Sequence, residues 1–244
     1  VLEFRKRTLP TDHPHIATSI DNVASTFSHL GRYADALKLQ QEVLEFRERV
    51  LPQNHPDIAT SMNNLALTFS HMERNDDALK LQEEVLEFRK RVLPQDHPDI
   101  ATSMSNLATE CFCLSRHADA LELEQDALEF RERVLPHDHP DLASSMGSLG
   151  HIYFFLGDFD KALTHTYAAI KIHQQGLPPD ETAIAKLHEN VHMYMQEQEH
   201  HDKHNHPGVD YCCNPTCSKP NPQHTCSRCG VANYCDRTCQ KSHW

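Results

Sequence analysis

The chain has 244 residues, 39% of them hydrophobic and 24% charged, with a net charge of −12 when histidine is counted neutral. That is enough material for one large or two small domains, and the acidity argues against nucleic acid or an anionic membrane as partner. No run approaches the roughly 18 apolar residues of a transmembrane helix.

The opening segment, VLEFRKRTLP, is charged and has no signal-peptide core. It also lacks an initiator methionine, so the expectation is a fragment or processed product. The same segment returns as VLEFRERVLP, VLEFRKRVLP and ALEFRERVLP, and His-Pro pairs fall at His13, His55, His97 and His139, each 42 residues apart. The chain is therefore a repeat array that begins inside a repeat.

Each copy reads as two helices. In PDIATSMNNLALTFSHM, the apolar residues Ile58, Met62, Leu65, Ala66 and Phe69 recur at helical spacing. Pro56 and Asp57 suit a first turn, where a missing N–H costs nothing and a carboxylate meets the helix dipole. In DDALKLQEEVLEFRKRV, the residues Ala78, Leu81, Val85 and Phe88 form one stripe. Glu45–Arg49, Glu87–Arg91 and Glu129–Arg133 have the i,i+4 spacing of helical ion pairs. The LPQDHP-type segments end each second helix, because proline cannot continue one. The repeated histidines lie one per copy, which points to a role at helix starts and not to one shared site.

Small residues occupy two registers, Ala24, Ala66, Ala108 and Gly150, and Ala36, Ala78, Ala120 and Ala162. Phe27, Phe69, Cys111 and Tyr153 share a third. Cys111 there reads as a small buried hydrophobe, with Cys113 nearby and no redox role for the pair.

These registers resemble the tetratricopeptide repeat, and the 42-residue period with HPDIATSMNNLA is similar to its kinesin light chain type. The resemblance implies an all-α, right-handed solenoid of helical hairpins over residues 1–195. It would comprise a partial repeat, four full repeats and a capping helix, DETAIAKLHENVHMYM, that is more polar, as a solenoid end requires. It also implies a concave face lined by first helices that binds extended peptides. The groove positions by register are Thr18, Thr60, Thr102 and Ser144, then Asn22, Asn64, Asn106 and Ser148, with Asn63 and Ser105 beside them. An amide both donates and accepts, so such a ladder reads a peptide backbone; the alternative is a merely solvated helix face. The first helices contain no lysine or arginine. A neutral or basic segment is therefore the expected ligand, and an acidic C-terminus is not.

Residues 196–210, QEQEHHDKHNHPGVD, lose the periodicity and are expected to form a histidine-rich linker. Seven of the nine cysteines follow Tyr211, a distribution that suggests thiolates held for metal in a reducing compartment, cytoplasm or nucleus. Cys213, Cys217, Cys226, Cys229, Cys235 and Cys239 form three close pairs. Two such pairs make the tetrahedral shell of a structural zinc, with Zn–S distances of about 2.3 Å. A segment this short has too little apolar mass to fold without it.

The order CSRCGVANYCDRTCQKSHW resembles the MYND-type zinc finger, making residues 211–244 an incomplete finger. The resemblance implies interleaved sites, one from Cys213, Cys217, Cys235 and Cys239. The other takes Cys226 and Cys229 plus a histidine and a cysteine lying after the tryptophan. The chain stops at Trp244, so one firm zinc and a weak or absent second are expected. Ser227, Gln240 and Trp244 match the positions where that family docks proline-rich peptides.

No phosphate loop or nucleophile motif stands out. The function expected is a non-enzymatic scaffold with protein or peptide partners and no small-molecule substrate. The alternative is the recognition tail of a larger ATPase, hydrolase or methyltransferase.

Overall fold

A computed structural model of the chain describes residues 2–176, 178–204, 224–225 and 233–234. The chain divides into two compact units, Val1–Val191 and His192–Trp244. The first unit is all-α. Its helices are α1 (Leu2–Thr8), α2 (Pro14–His29), α3 (Tyr33–Val50), α4 (Pro56–His71), α5 (Asn75–Val92), α6 (Pro98–Cys113), α7 (His117–Val134), α8 (Pro140–Phe155), α9 (Phe159–Gln175) and the start of α10 (Glu181–His204). Each of α1 to α8 packs on the helix that follows it. Helices α2, α4, α6 and α8 are the first helices of successive repeats, and α3, α5, α7 and α9 the second.

The His-Pro pairs start the first helices in a specific way. The Nδ1 atoms of His13, His55, His97 and His139 accept a hydrogen bond from the amide two residues on, at 3.1–3.2 Å. Proline follows as the first helical residue, where its missing N–H is one the helix would leave unpaired anyway. The expected role at helix starts is therefore met by histidine acting as N-cap.

First helices end on a residue of left-handed backbone. The φ angle is 71° at Gly31, 59° at Glu73, 58° at Ser115 and 78° at Gly157. At each, paired bonds close the end, such as Arg74 N–H to Phe69 O at 2.9 Å and Glu73 N–H to Ser70 O at 2.9 Å. Only glycine holds this backbone without steric cost. Ser115→Gly and Glu73→Gly are each expected to stabilise the chain by about 1 kcal/mol, and Gly157→Ala to destabilise it similarly, as read in thermal melts.

The core lies where the small registers meet. Ala36, Ala66, Ala78, Ala120 and Ala162 are fully buried. At Gly150 a methyl group would collide with the Thr166 hydroxyl, so this helix pair approaches too closely even for alanine. Phe27 and Phe69 are half-buried beneath Arg32 and Arg74, each guanidinium 4.4 Å from its ring centre, while Cys111 and Tyr153 of the same register are buried. At the last hairpin, Leu187 of α10 packs on Leu142, Ala143, Ala169 and Ile172.

Two local expectations change. Arg49 pairs with Asp12 at 3.1 Å and lies over the Phe46 ring, in place of the ion pair with Glu45. Arg91 and Arg133 likewise lie over Phe88 and Phe130. A ring one turn back offers an arginine apolar cover as well as cation–π attraction, while an exposed ion pair gains little. Helix α10 also runs on through residues 196–204, assigned above to the linker. Glutamine, glutamate and lysine there are good helix formers without an apolar stripe.

Of the second unit, the described residues are the end of α10 and an antiparallel pair, β1 (His224–Thr225) with β2 (Asn233–Tyr234), in the register His224 to Tyr234. Cys213, Cys217, Cys226, Cys229, Cys235, Cys239, Ser227, Gln240 and Trp244 lie outside the described residues.

Candidate functional site

The first helices α2, α4, α6 and α8 carry every residue expected in the groove. Thr18, Thr60 and Thr102 turn their hydroxyls back onto the carbonyls of Pro14, Pro56 and Pro98, at 3.3–3.4 Å. Each threonine thereby satisfies its donor locally and keeps oxygen lone pairs outward. Asn22 is exposed and Asn64 half-buried. Asn106 and Asn63 are joined: Asn106 Nδ2 donates to Asn63 Oδ1 at 2.8 Å, and Gln82 Nε2 donates to the same oxygen at 3.2 Å. This link places α4 and α6, the first helices of adjacent repeats, side by side on one face. It also commits the Asn63 carbonyl to the fold, leaving its amide nitrogen outside that link.

A second polar row lies behind this face, and sequence reasoning missed it. Arg47, Arg89 and Arg131 are buried, with 6–8% of their surface exposed. Each reaches from a second helix into the next first helix. Arg5 and Arg47 donate to the hydroxyls of Ser19 and Ser61 at 2.7 and 2.6 Å, Arg89 to Ser103 at 2.9 Å, and Arg131 to Ser145. Arg89 also donates to the Asp99 carbonyl at 3.1 Å. The signal was present, since arginine and serine recur 14 residues apart in every copy.

Carboxylates attend this row. Asp21 pairs with Arg47 at 2.7 Å, but burial outweighs that pull and holds its pKa above the usual range. Glu124 accepts from the Ser105 hydroxyl at 3.1 Å and lies 3.8 Å from Arg131. Burial raises its pKa against those partners.

Two cavities open between first helices and the second helix behind them. One, of about 160 Å³, is bounded by Ser25 and Ser28 of α2, Gln40 of α3, and Asn64 and Leu67 of α4. The other, of about 240 Å³, is bounded by Thr109 and Phe112 of α6, Glu124 of α7, and Ser148 and His151 of α8. These are one feature repeated. Ser25 and Thr109, Ser28 and Phe112, Gln40 and Glu124, Leu67 and His151 are each 84 residues apart, two 42-residue periods. Aromatic rings gather at the second cavity: Phe112 lies 5.0 Å from His151 and from Phe155, and His151 lies 5.0 Å from Phe155. Burial pushes the His151 pKa down, so its ring favours the uncharged form.

Among the described residues, no group of three or more histidine, cysteine or acidic side chains is placed to hold a metal, and no helix is long and apolar enough to cross a membrane. Cys111 is a buried free thiol and Cys113 an exposed one; desolvation raises the pKa of both, which disfavours the reactive thiolate.

Models of the tetratricopeptide repeat match residues 15–91, 57–133 and 142–180. No curated protein matches the sequence. Among solved structures, a Podosopora anserina kinesin light chain-type protein with nearly identical TPR-like repeats superposes with a TM-score of 0.65 at 20% identity, over 78% of this chain and 90% of that one. BtubC from P. vanneervenii gives 0.62 at 20% identity, over 88% and 86%. Aspartyl phosphate phosphatase F from Bacillus subtilis gives 0.69 at 13% identity, over 81% of this chain and 50% of that one. At these identities the likeness is one of fold.

Proposed function

The chain belongs to the tetratricopeptide repeat family, and from that premise we propose that it is a non-catalytic scaffold whose first-helix face holds an extended peptide. The observation that carries this is the lateral continuity of the face. Asn63 and Asn106 meet across two repeats at 2.8 Å, and the same cavity recurs two repeats apart along it. Groups repeated at a fixed interval suit a ligand that is itself repetitive, and a peptide backbone in extended form is such a ligand. Thr18, Asn22, Thr60, Asn63, Asn64, Thr102 and Asn106 are the contacts proposed.

Charge selects among peptides. The four first helices carry no lysine or arginine, so nothing on them grips a terminal carboxylate. Calorimetric titration with a peptide ending in an acidic cluster is expected to show no binding; tight binding would overturn the charge reading.

Residues 211–244 we read as a second interaction module stabilised by zinc. Cys213, Cys217, Cys235 and Cys239 would hold the firm site, since four thiolates are the soft anionic donors zinc prefers. Bound zinc would supply folding energy and no open coordination position. Cys226 and Cys229 would contribute half of a second site, and Ser227, Gln240 and Trp244 would face a proline-rich peptide. Native mass spectrometry of the 244-residue chain is expected to find one zinc that survives dilution into chelator. Two equally retained ions, or none, would contradict this. The thiols suit a reducing compartment.

A further inference from the structure

We propose that the cavity between α6, α7 and α8 receives the side chain of a lysine or arginine from the bound peptide. The inference rests on the first-helix face being the peptide site, and it assigns that peptide one basic anchor at one place.

Three observations converge there. The cavity, about 240 Å³, is smaller than the roughly 300–1,000 Å³ of drug-sized ligand sites and fits a single side chain. Its wall is aromatic: Phe112 and His151 line it, and Phe155 sits 5.0 Å from both rings, half exposed. A cation over such faces is attracted by the ring quadrupoles, most strongly when desolvated. Its third wall holds Glu124, a carboxylate 1% exposed. Arg131 lies 3.8 Å from it and spends its nearer hydrogen bonds on Ser105 and Ser145. The Ser105 hydroxyl also donates to Glu124 at 3.1 Å, yet burial outweighs these partners, so a second cation beside it would favour the charged form where water is scarce.

The equivalent cavity two repeats earlier shows what is special. There Ser28, Gln40 and Leu67 replace Phe112, Glu124 and His151; among the described residues His71 is the one ring on its wall, and its carboxylate, Asp21, is already paired with Arg47 at 2.7 Å. Neither α6 nor α8 supplies a lysine or arginine that would occupy the place from within, and His151, pushed toward its neutral form by burial, does not repel a cation. An aromatic or aliphatic anchor would gain from the rings but leave Glu124 without a new partner, which is why the basic side chain is the better fit.

The earlier repeats also supply the variants. Glu124→Gln, Phe112→Ser and His151→Leu each install the residue found at the same register elsewhere, Gln82, Ser70 and Leu67. A random-peptide phage library panned on the 244-residue chain is expected to enrich peptides sharing one lysine or arginine. Synthetic copies with that residue changed to methionine should bind about tenfold more weakly. The Glu124→Gln chain, checked for unchanged helicity, should bind parent and methionine peptides alike. Should that variant not fold, Phe112→Ser and His151→Leu report the same loss of preference. Enriched peptides without a shared basic residue, or a lysine preference that survives all three variants, would overturn the basic anchor and leave the peptide site standing. Failure to enrich any peptide would overturn the peptide site, and this inference with it.

Discussion

Replacing Arg89 with alanine is expected to destabilise the chain by about 2–3 kcal/mol and to uncouple its two halves. Arg89 is buried at the junction of α5 and α6, the boundary between one repeat and the next. Its guanidinium donates to the Ser103 hydroxyl at 2.9 Å and to the Asp99 carbonyl at 3.1 Å. Burial pushes its pKa down while the Asp99 carboxylate, 3.9 Å away, pulls back. Loss of charged hydrogen bonds costs about 1.5–3 kcal/mol, and loss of the packed aliphatic stem adds to it. In a stacked array, stability is a sum of repeat and interface terms. A broken interface should therefore split the melting transition in two. Hydrogen exchange should quicken in α5 and α6 before α8 and α9. Arg89→Met keeps the stem and should lose about half as much. A single transition with unchanged midpoint in Arg89→Ala would show that the arginine row does not hold the repeats together.

The opposite sign is expected at Glu110. This residue of α6 is 1% exposed, and its Oε2 has no hydrogen-bond partner. Thr68 and Ile152 occupy the same register in the repeats on either side, both buried. Burial pushes the Glu110 pKa above the ordinary carboxyl range, and a hydrogen bond from Ser70 offsets this only in part. A carboxyl whose folded pKa is raised binds its proton more tightly in the folded state. Its ionisation therefore costs stability as pH climbs from the ordinary carboxyl range through the folded pKa, and that cost is relieved on acidification. Glu110→Gln removes the charge at nearly constant volume. It should stabilise the chain by about 1–3 kcal/mol at neutral pH, and the gain should shrink in melts at acid pH. A variant that melts lower than the parent at neutral pH would mean that the carboxylate has a partner that stabilises it.

The array itself was legible because each feature is written four times. The N-cap histidines, the alanine registers and the proline stops all recur at the same interval, and each meets a backbone requirement that admits few alternatives. The arginine row recurs as regularly and was still missed. Arginine is rarely buried, so Arg47, Arg89 and Arg131 read as surface charge, and the serine that receives each of them lies in a different helix. The same bias set Arg49 against Glu45 when the structure turns it to Asp12 and Phe46. For the face itself, sequence placed Asn22, Asn64 and Asn106 in one register, but it could not show that Asn106 is already engaged by Asn63. Nor could it show the recurring cavities, since these belong to three helices at once. Departures from the earlier copies were the more informative positions: Phe112, Glu124 and His151 stand where Ser70, Gln82 and Leu67 stand in earlier copies, and they meet at a single place.

That an extended peptide lies along the first helices is tested most directly by the side-chain amide signals of Asn22, Asn63, Asn64 and Asn106 in nitrogen-15 spectra. Peptide from the library selection would be titrated into labelled chain. The Asn22 and Asn64 signals are expected to shift together along one saturating curve, with amides of α2, α4, α6 and α8 moving and the outer faces of the second helices still. Saturable binding that leaves these asparagines unmoved and shifts α3, α5 and α7 instead would contradict it.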